Sequence, residues 1–153
     1  MTVKEEITTG EHIAFLENGS RINRYSHVLK GAEIGENVMI GEHCYIGSQA
    51  KIGDNTRIQN GVNVWDGVEI GNNVFVGPNT TFTNHHDPAI RETFKPEKTI
   101  VKDNATLCAA CVIISPCVIG KNATVGAACL VLSDVPDYER RISIYTGRIL
   151  ETK

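Results

Sequence analysis

The sequence predicts an all-β protein: a parallel coil of six-residue units that closes on three walls, with one loop pushed out of it and a short C-terminal tail. Three observations lead there. Apolar residues recur at every sixth position over most of the 153 residues. A small or short residue stands two positions before nearly every one of them. The pattern breaks once, at TNHHDPAIRE (83–92), and then resumes with its phase shifted by one residue.

The large positions run Leu16, Ile22, Val28, Ile34, Ile40, Ile46, Ile52, Ile58, Val64, Ile70, Val76, Phe82. The small ones run Ala14, Ser20, Ser26, Ala32, Val38, Cys44, Ala50, Thr56, Val62, Val68, Val74, Thr80. A helix repeats near 3.6 residues and a plain strand near 2, so neither explains a period of six. A short strand plus a corner does. Three such units complete one turn, and successive turns stack at about the 4.8 Å spacing of paired strands. Large side chains fill the prism, and small ones sit where the walls converge. Glycines often follow the large residue, at 35, 41, 47, 53, 71 and 77. Together with the asparagines they are expected to take the unusual backbone angles of corners.

Extending the register past Phe82 puts His86 in a small inward slot. Imidazole is too large for it and too polar to sit there unpartnered. The chain must therefore leave the prism at about residue 85 and return at Thr99 and Val101, where the small–large alternation restarts. The excursion, about 85–98, carries two prolines and mixed charge, as an exposed loop does. Histidine is also the side chain best suited to exchange protons near neutral pH, and loops on rigid scaffolds are where sites lie. The restored phase places Cys111, Cys117 and Cys129, like Cys44 earlier, in the small inward slot. Cys108-Ala-Ala-Cys111 then reads as packing thiols rather than a redox or zinc motif.

Composition narrows the function. The net charge is −3 with no long basic run, which argues against a nucleic-acid polymer as partner. No apolar run is long enough to span a bilayer, and the N-terminus has no apolar targeting core. A cytoplasmic location with reduced thiols is expected. The organisation expected is an N-terminal segment over 1–13, the coil over 14–136 and a tail over 137–153.

The stretches IGENVMIGEHCYIGSQAKIGDNTRI, IQNGVNVWDGVEIG, FTN and CVIGKNATVGAACLVLSDVP resemble the hexapeptide-repeat acyltransferases, over about residues 14–136. That resemblance implies a left-handed parallel β-helix and a homotrimer with sites between subunits. It points to the branch that N-acetylates amino sugars attached to nucleotides, with acetyl-CoA as cosubstrate and no metal. Carried over, Asn84 would contact substrate near the reacting amine. Asn60, Trp65 and Asp66 would line the substrate side, and Ala109, Ala110, Gly126 and Ala127 the pantetheine track. His86, or His85, would take the amine proton, directly or through water. Asp87 is read as orienting an imidazole or as a turn former.

The sequence departs from the family pattern at Cys108, where glycine is usual, at Ser133, where lysine is frequent, and in a tail without the glycine-x-proline-alanine turn. Arg140, Arg141 and Arg148 are read as solvated charges, with CoA phosphates as the alternative partners. Sugar O-acetylation, and a non-catalytic trimeric scaffold, stay open as other readings. A zinc hydrolyase on the same coil needs three histidines on adjoining walls, and none lies in 99–136.

Overall fold

The computed structural model describes residues 1–87 and 95–142; the middle of the excursion and Arg148 lie outside them. The described chain is a left-handed parallel β-helix of about six turns. Most strands are two residues long, with the second residue buried. Wall I stacks Arg21–Ile22, Met39–Ile40, Arg57–Ile58, Phe75–Val76, Thr106–Leu107 and Thr124–Val125. Wall II runs from His27–Val28 to Leu130–Val131, and wall III from Glu33–Ile34 to Cys117–Ile119. We number the corners by the wall they follow. No helix of the described residues is long and apolar enough to cross a membrane.

Partners in neighbouring turns are 18 residues apart, as in Ile40 with Ile58. Across the excursion the interval is 31, from Val76 to Leu107. Every large position from Ile22 to Val131 is buried, so the apolar core is a single column along the axis. Burying one such Ile or Val side chain is worth about 1.5–3 kcal/mol.

The small slot has a second requirement that size alone does not convey. Its side chain sits beneath the corner carbonyl of the turn above and can bond to it. Ser20 Oγ donates to Gly35 O at 2.9 Å and accepts from Val38 N–H at 2.9 Å. Ser26 and Thr56 do the same with Gly41 and Gly71. Cys44 and Cys111 place their thiols 3.2 Å from Gln59 O and 3.1 Å from Gly126 O. Serine, threonine and cysteine are therefore at home in an otherwise apolar interior.

The repeating glycines work differently from the expectation. Gly35, Gly41, Gly47, Gly53 and Gly71 do not have left-handed φ. The left-handed position falls two residues later, at Asn37, His43, Asn55 and Asn73, with φ of 53–56°. The glycines are there for space. A Cβ on Gly53 would stand 2.5 Å from Asn72 Oδ1, one on Gly35 2.5 Å from Asp54 Oδ1, and one on Gly41 2.6 Å from Asn60 Oδ1. Each of those oxygens accepts the amide just after the glycine. Glu36 N–H donates to Asp54 at 2.8 Å, Glu42 N–H to Asn60 at 2.9 Å, and Asp54 N–H to Asn72 at 2.7 Å. Each of these three corners is thus capped by a carboxylate or amide from the turn above, and only glycine leaves room for it.

The first and last turns also differ from the arithmetic. Ala14 and Leu16 keep the spacing, but Ala14–Phe15 runs antiparallel to Arg21–Ile22, and Ile7–Thr8 antiparallel to His27–Val28. A turn at Leu16–Ser20 reverses the chain, with Leu16 N–H on Ser20 O and Gly19 N–H on Leu16 O. At the other end Arg140–Arg141 pairs in parallel with Thr124–Val125, so wall I continues past residue 136.

Gly53→Ala is expected to lower stability by about 1–3 kcal/mol through overpacking against Asn72 and the Gly71 backbone. Gly10→Ala, with no atom within 4 Å of the added Cβ, should change it by less than about 0.5 kcal/mol. Urea unfolding of the two variants beside the parent checks this; equal midpoints would mean that the glycines do not serve the caps.

Candidate active site

The expected site residues gather at two corners. Trp65 and Asp66 lie in corner II, one turn below Thr83, Asn84 and His85. Asn60, Ala109, Ala110, Gly126 and Ala127 lie along corner I. Wall II separates these two edges. Asn60 and Asp66 are both engaged in the coil. Asn60 caps Glu42, and Asp66 Oδ1 accepts Gln49 N–H at 2.8 Å with the Ser48 hydroxyl 3.3 Å away. Trp65 is half-buried with its ring 5.0 Å from that of Tyr45.

Both corners share one feature: the capping ladder stops there. In corner I, Pro78 has no amide to cap, and Ala109 above it has no capping oxygen. A Cβ on Gly77 would meet Ala109 N and Cys108 C, both at 2.6 Å, so backbone itself fills the space. One turn higher, Cys108 carries a Cβ where a cap from position 127 would lie, and that position is alanine. Among the described residues the Ala109 and Ala127 amides have no acceptor. Ala110 and Ala128 adopt φ of 57° and 55° in the slot that asparagine fills at Asn55, Asn79 and Asn104. For a residue with a Cβ that conformation costs about 1–2 kcal/mol. The edge has kept small side chains against its own backbone preference, and Ala110, Ala127 and Ala128 are exposed.

In corner II the interruption is Trp65, which takes the register position of Gly47, so a side chain stands where glycine leaves room for the Asp66 cap one turn below, and Asn84 stands in the register position of Asp66. Among the described residues the Asn84 side-chain amide has no partner. The chain leaves the prism at the next residues, with His85 half-exposed and His86 exposed. Their rings stack at 5.3 Å and 9°. Asp87 N–H lies 3.1 Å from His85 Nδ1, so that nitrogen must be the acceptor and the His85 proton belongs on Nε2. The opposite holds at His86. Its Nδ1 is 2.5 Å from Glu97 Oε1, and an ionised carboxylate only accepts. The His86 proton is therefore on Nδ1, and the lone pair is on Nε2.

Glu97 had escaped the sequence reading, hidden among the loop charges two residues before Thr99. Its Oε2 accepts His86 N–H at 2.7 Å and the Ser115 hydroxyl at 3.3 Å, and its own N–H donates to Asn84 O at 2.8 Å. Desolvation raises the Glu97 carboxyl pKa, but the hydrogen bonds from the His86 ring and amide, joined by the charge of the two imidazoles once these are protonated, outweigh it. The net shift is downward. The ligand atoms of His85, His86 and Glu97 lie within 4.8 Å of one another.

The cysteines divide as the register implied. Cys44, Cys111, Cys117 and Cys129 are buried, Cys108 is half-buried, and all five are free thiols. Burial pushes Cys111 and Cys117 up to about 11. Of the arginines, Arg141 is bound to Glu139 at 2.8 Å and to the Asp134 carbonyl, while Arg140 is exposed.

The bacterial transferase hexapeptide (six repeats) family model matches residues 14–48 and 49–84. None of the curated proteins matches the sequence. The fold is similar to that of PerB from Caulobacter crescentus, solved with CoA and GDP-perosamine (TM-score 0.69, 23% identity, 82% of this chain and 55% of that one). It is also similar to the hexapeptide-repeat acetyltransferase VCA0836 from Vibrio cholerae, complexed with acetyl-CoA (0.64, 26%, 74% and 66%). AntD, an N-acyltransferase from Bacillus cereus solved with dTDP and 3-hydroxybutyryl-CoA, is a third such structure (0.66, 22%, 78% and 76%). The chain spans about half the length of the Caulobacter protein.

A thiol reagent such as DTNB is expected to label Cys108 first in the folded protein, and the four buried thiols only on unfolding. Rapid reaction of Cys111 or Cys117 in native protein would mean that they are not inward packing groups.

Proposed function

We propose that this chain is a hexapeptide-repeat acyltransferase and that it moves an acetyl group from acetyl-CoA to the amine of a nucleotide-linked sugar. The observation that carries the reading is the interrupted ladder of corner I. Small side chains and unpartnered Ala109 and Ala127 amides suit the pantetheine arm, whose own amides need backbone partners at close range. Ala110 and Gly126 complete the track.

Acyl transfer requires a neutral amine to attack the thioester carbon. The C–N bond forms, the C–S bond breaks, and CoA departs as thiolate. The amine proton goes to His86 Nε2, the nitrogen whose lone pair is available, and later to the leaving thiolate or to solvent. His85, with its proton on Nε2, is a donor; it and the Asn84 amide are the candidates for holding the oxyanion or the sugar. Trp65 and Asp66 give that side of the site its floor.

Corners I and II of one prism are separated by a six-residue wall, at most about 20 Å of extended chain. A thioester held on corner I of a neighbouring copy can stand closer to His86 than one held on its own. This supports a homotrimer with the sites between subunits. A hydroxyl acceptor is the second reading. The carboxylate-paired His86 favours it, because a sugar hydroxyl depends on a base more than an amine does.

The test is CoA release from acetyl-CoA with a panel of nucleotide-linked amino sugars, starting with GDP-perosamine, and with their hydroxyl counterparts. Turnover is expected with an amino sugar, and a fall of about 10²–10⁴-fold in His86→Ala. Absence both of turnover and of thermal stabilisation by acetyl-CoA would favour a scaffold. The track is tested separately. Cys108→Gly with Ala127→Asn rebuilds the cap over the Ala109 amide. That pair is expected to keep the parent melting temperature and abolish the acetyl-CoA-induced shift, while Cys108→Gly alone retains it. Undiminished binding by the pair would place CoA elsewhere.

A further inference from the structure

We propose that Glu97 is the positioning residue of the site: it fixes the tautomer and orientation of His86 from the returning limb of the excursion. The inference rests on the His86 role above. Asp87, the neighbour in sequence, engages His85 through its backbone instead. Glu97 holds His86 at two points, ring Nδ1 at 2.5 Å and backbone N–H at 2.7 Å, so ring and main chain cannot turn independently.

The glutamate is itself anchored. Its amide bonds to Asn84 O, and its Oε2 receives the hydroxyl of Ser115. Ser115 is buried, with its amide on Thr83 Oγ1 at 2.8 Å. The Glu97 side chain is only 23% exposed against 61% for His86, so the carboxylate belongs to the neck of the excursion and the imidazole to its mouth. A clasp that closes the loop on the prism thus also aims the base.

Chemically, Glu97 takes no proton. Accepting from Nδ1–H keeps the Nε2 lone pair available, and its negative charge steadies the imidazolium formed when Nε2 is protonated. Among the described residues, the ionisable groups around His86 are Glu97, the stacked His85 and Asp87. A carboxyl held below its ordinary value, near 4.3, stays ionised through any pH at which His86 is neutral.

The experiment uses the full chain with Glu97→Gln and Glu97→Asp. Long-range ¹H–¹⁵N spectra of the histidine rings report the His86 tautomer without substrate. The parent should show Nδ1 protonated and Nε2 bare. Glu97→Gln should shift His86 towards a mixture, because the amide can present either oxygen or N–H to the ring. With the acceptor turned over above, kcat should fall by roughly 10–100-fold. KM for acetyl-CoA should stay within about twofold, and the acid limb of the pH profile should move to lower pH. Glu97→Asp should show an intermediate fall and keep the parent tautomer. An unchanged His86 spectrum and acid limb in folded Glu97→Gln overturns the proposal. Full activity in His86→Ala overturns the base reading instead, while the ring spectra still decide what Glu97 does.

Discussion

The coil depends on one close approach. At corner after corner an Asp or Asn from the turn above lays its oxygen within about 2.5 Å of where a Cβ would project below, and caps the next amide. Strand pairing alone would allow adjacent turns to slide, because two-residue strands offer little register. The cap removes that freedom. It ties one residue to a partner a fixed turn away and demands glycine at the point of contact. The column of Ile and Val supplies the driving force for burial, and the ladder of caps sets which turn sits on which.

A ladder of this kind occupies the corner amides it caps, and an edge whose amides are capped offers a ligand fewer backbone donors to hold. The edges proposed to bind are those where capping stops. Pro78, Ala109, Cys108 and Ala127 interrupt it on corner I; Trp65 interrupts it on corner II and leaves Asn84 without a task in the coil. The left-handed alanines at 110 and 128 show a local cost of that arrangement, since the same chain uses asparagine at the equivalent place elsewhere.

Much of this was legible in the residues. Period, wall count, inward slots, cysteine packing and the exit near His86 all follow from steric size repeated at a fixed interval, which a linear sequence displays directly. The reversal at Leu16–Ser20 was not, because a six-residue spacing is the same read in either direction. The meaning of the glycines was misjudged for a related reason. Gly35 with Asp54, and Gly41 with Asn60, are a turn apart, and their pairing appears only once turns are stacked. Glu97 was hidden more deeply. A glutamate in a charged loop looks solvated until the neck closes and puts it against a histidine eleven residues earlier.

The excursion also shows how a regular fold acquires a base without losing its regularity. The turn that carries it spans 31 residues in place of 18, yet Thr99–Val101 meets Val68–Ile70 in parallel register as if nothing intervened. The extra chain is pinched off at its root by Glu97 on Asn84, and Ser115 braces the pinch from the next turn, with its amide on Thr83 and its hydroxyl on Glu97. Because the root is closed by polar contacts rather than by packing, the carboxylate that seals it remains within reach of the imidazole outside. Substituting an apolar pair there would seal the neck equally well but leave His86 with no fixed acceptor for its Nδ1 proton. That difference is the physical reason to expect a glutamate at this position rather than a larger hydrophobe.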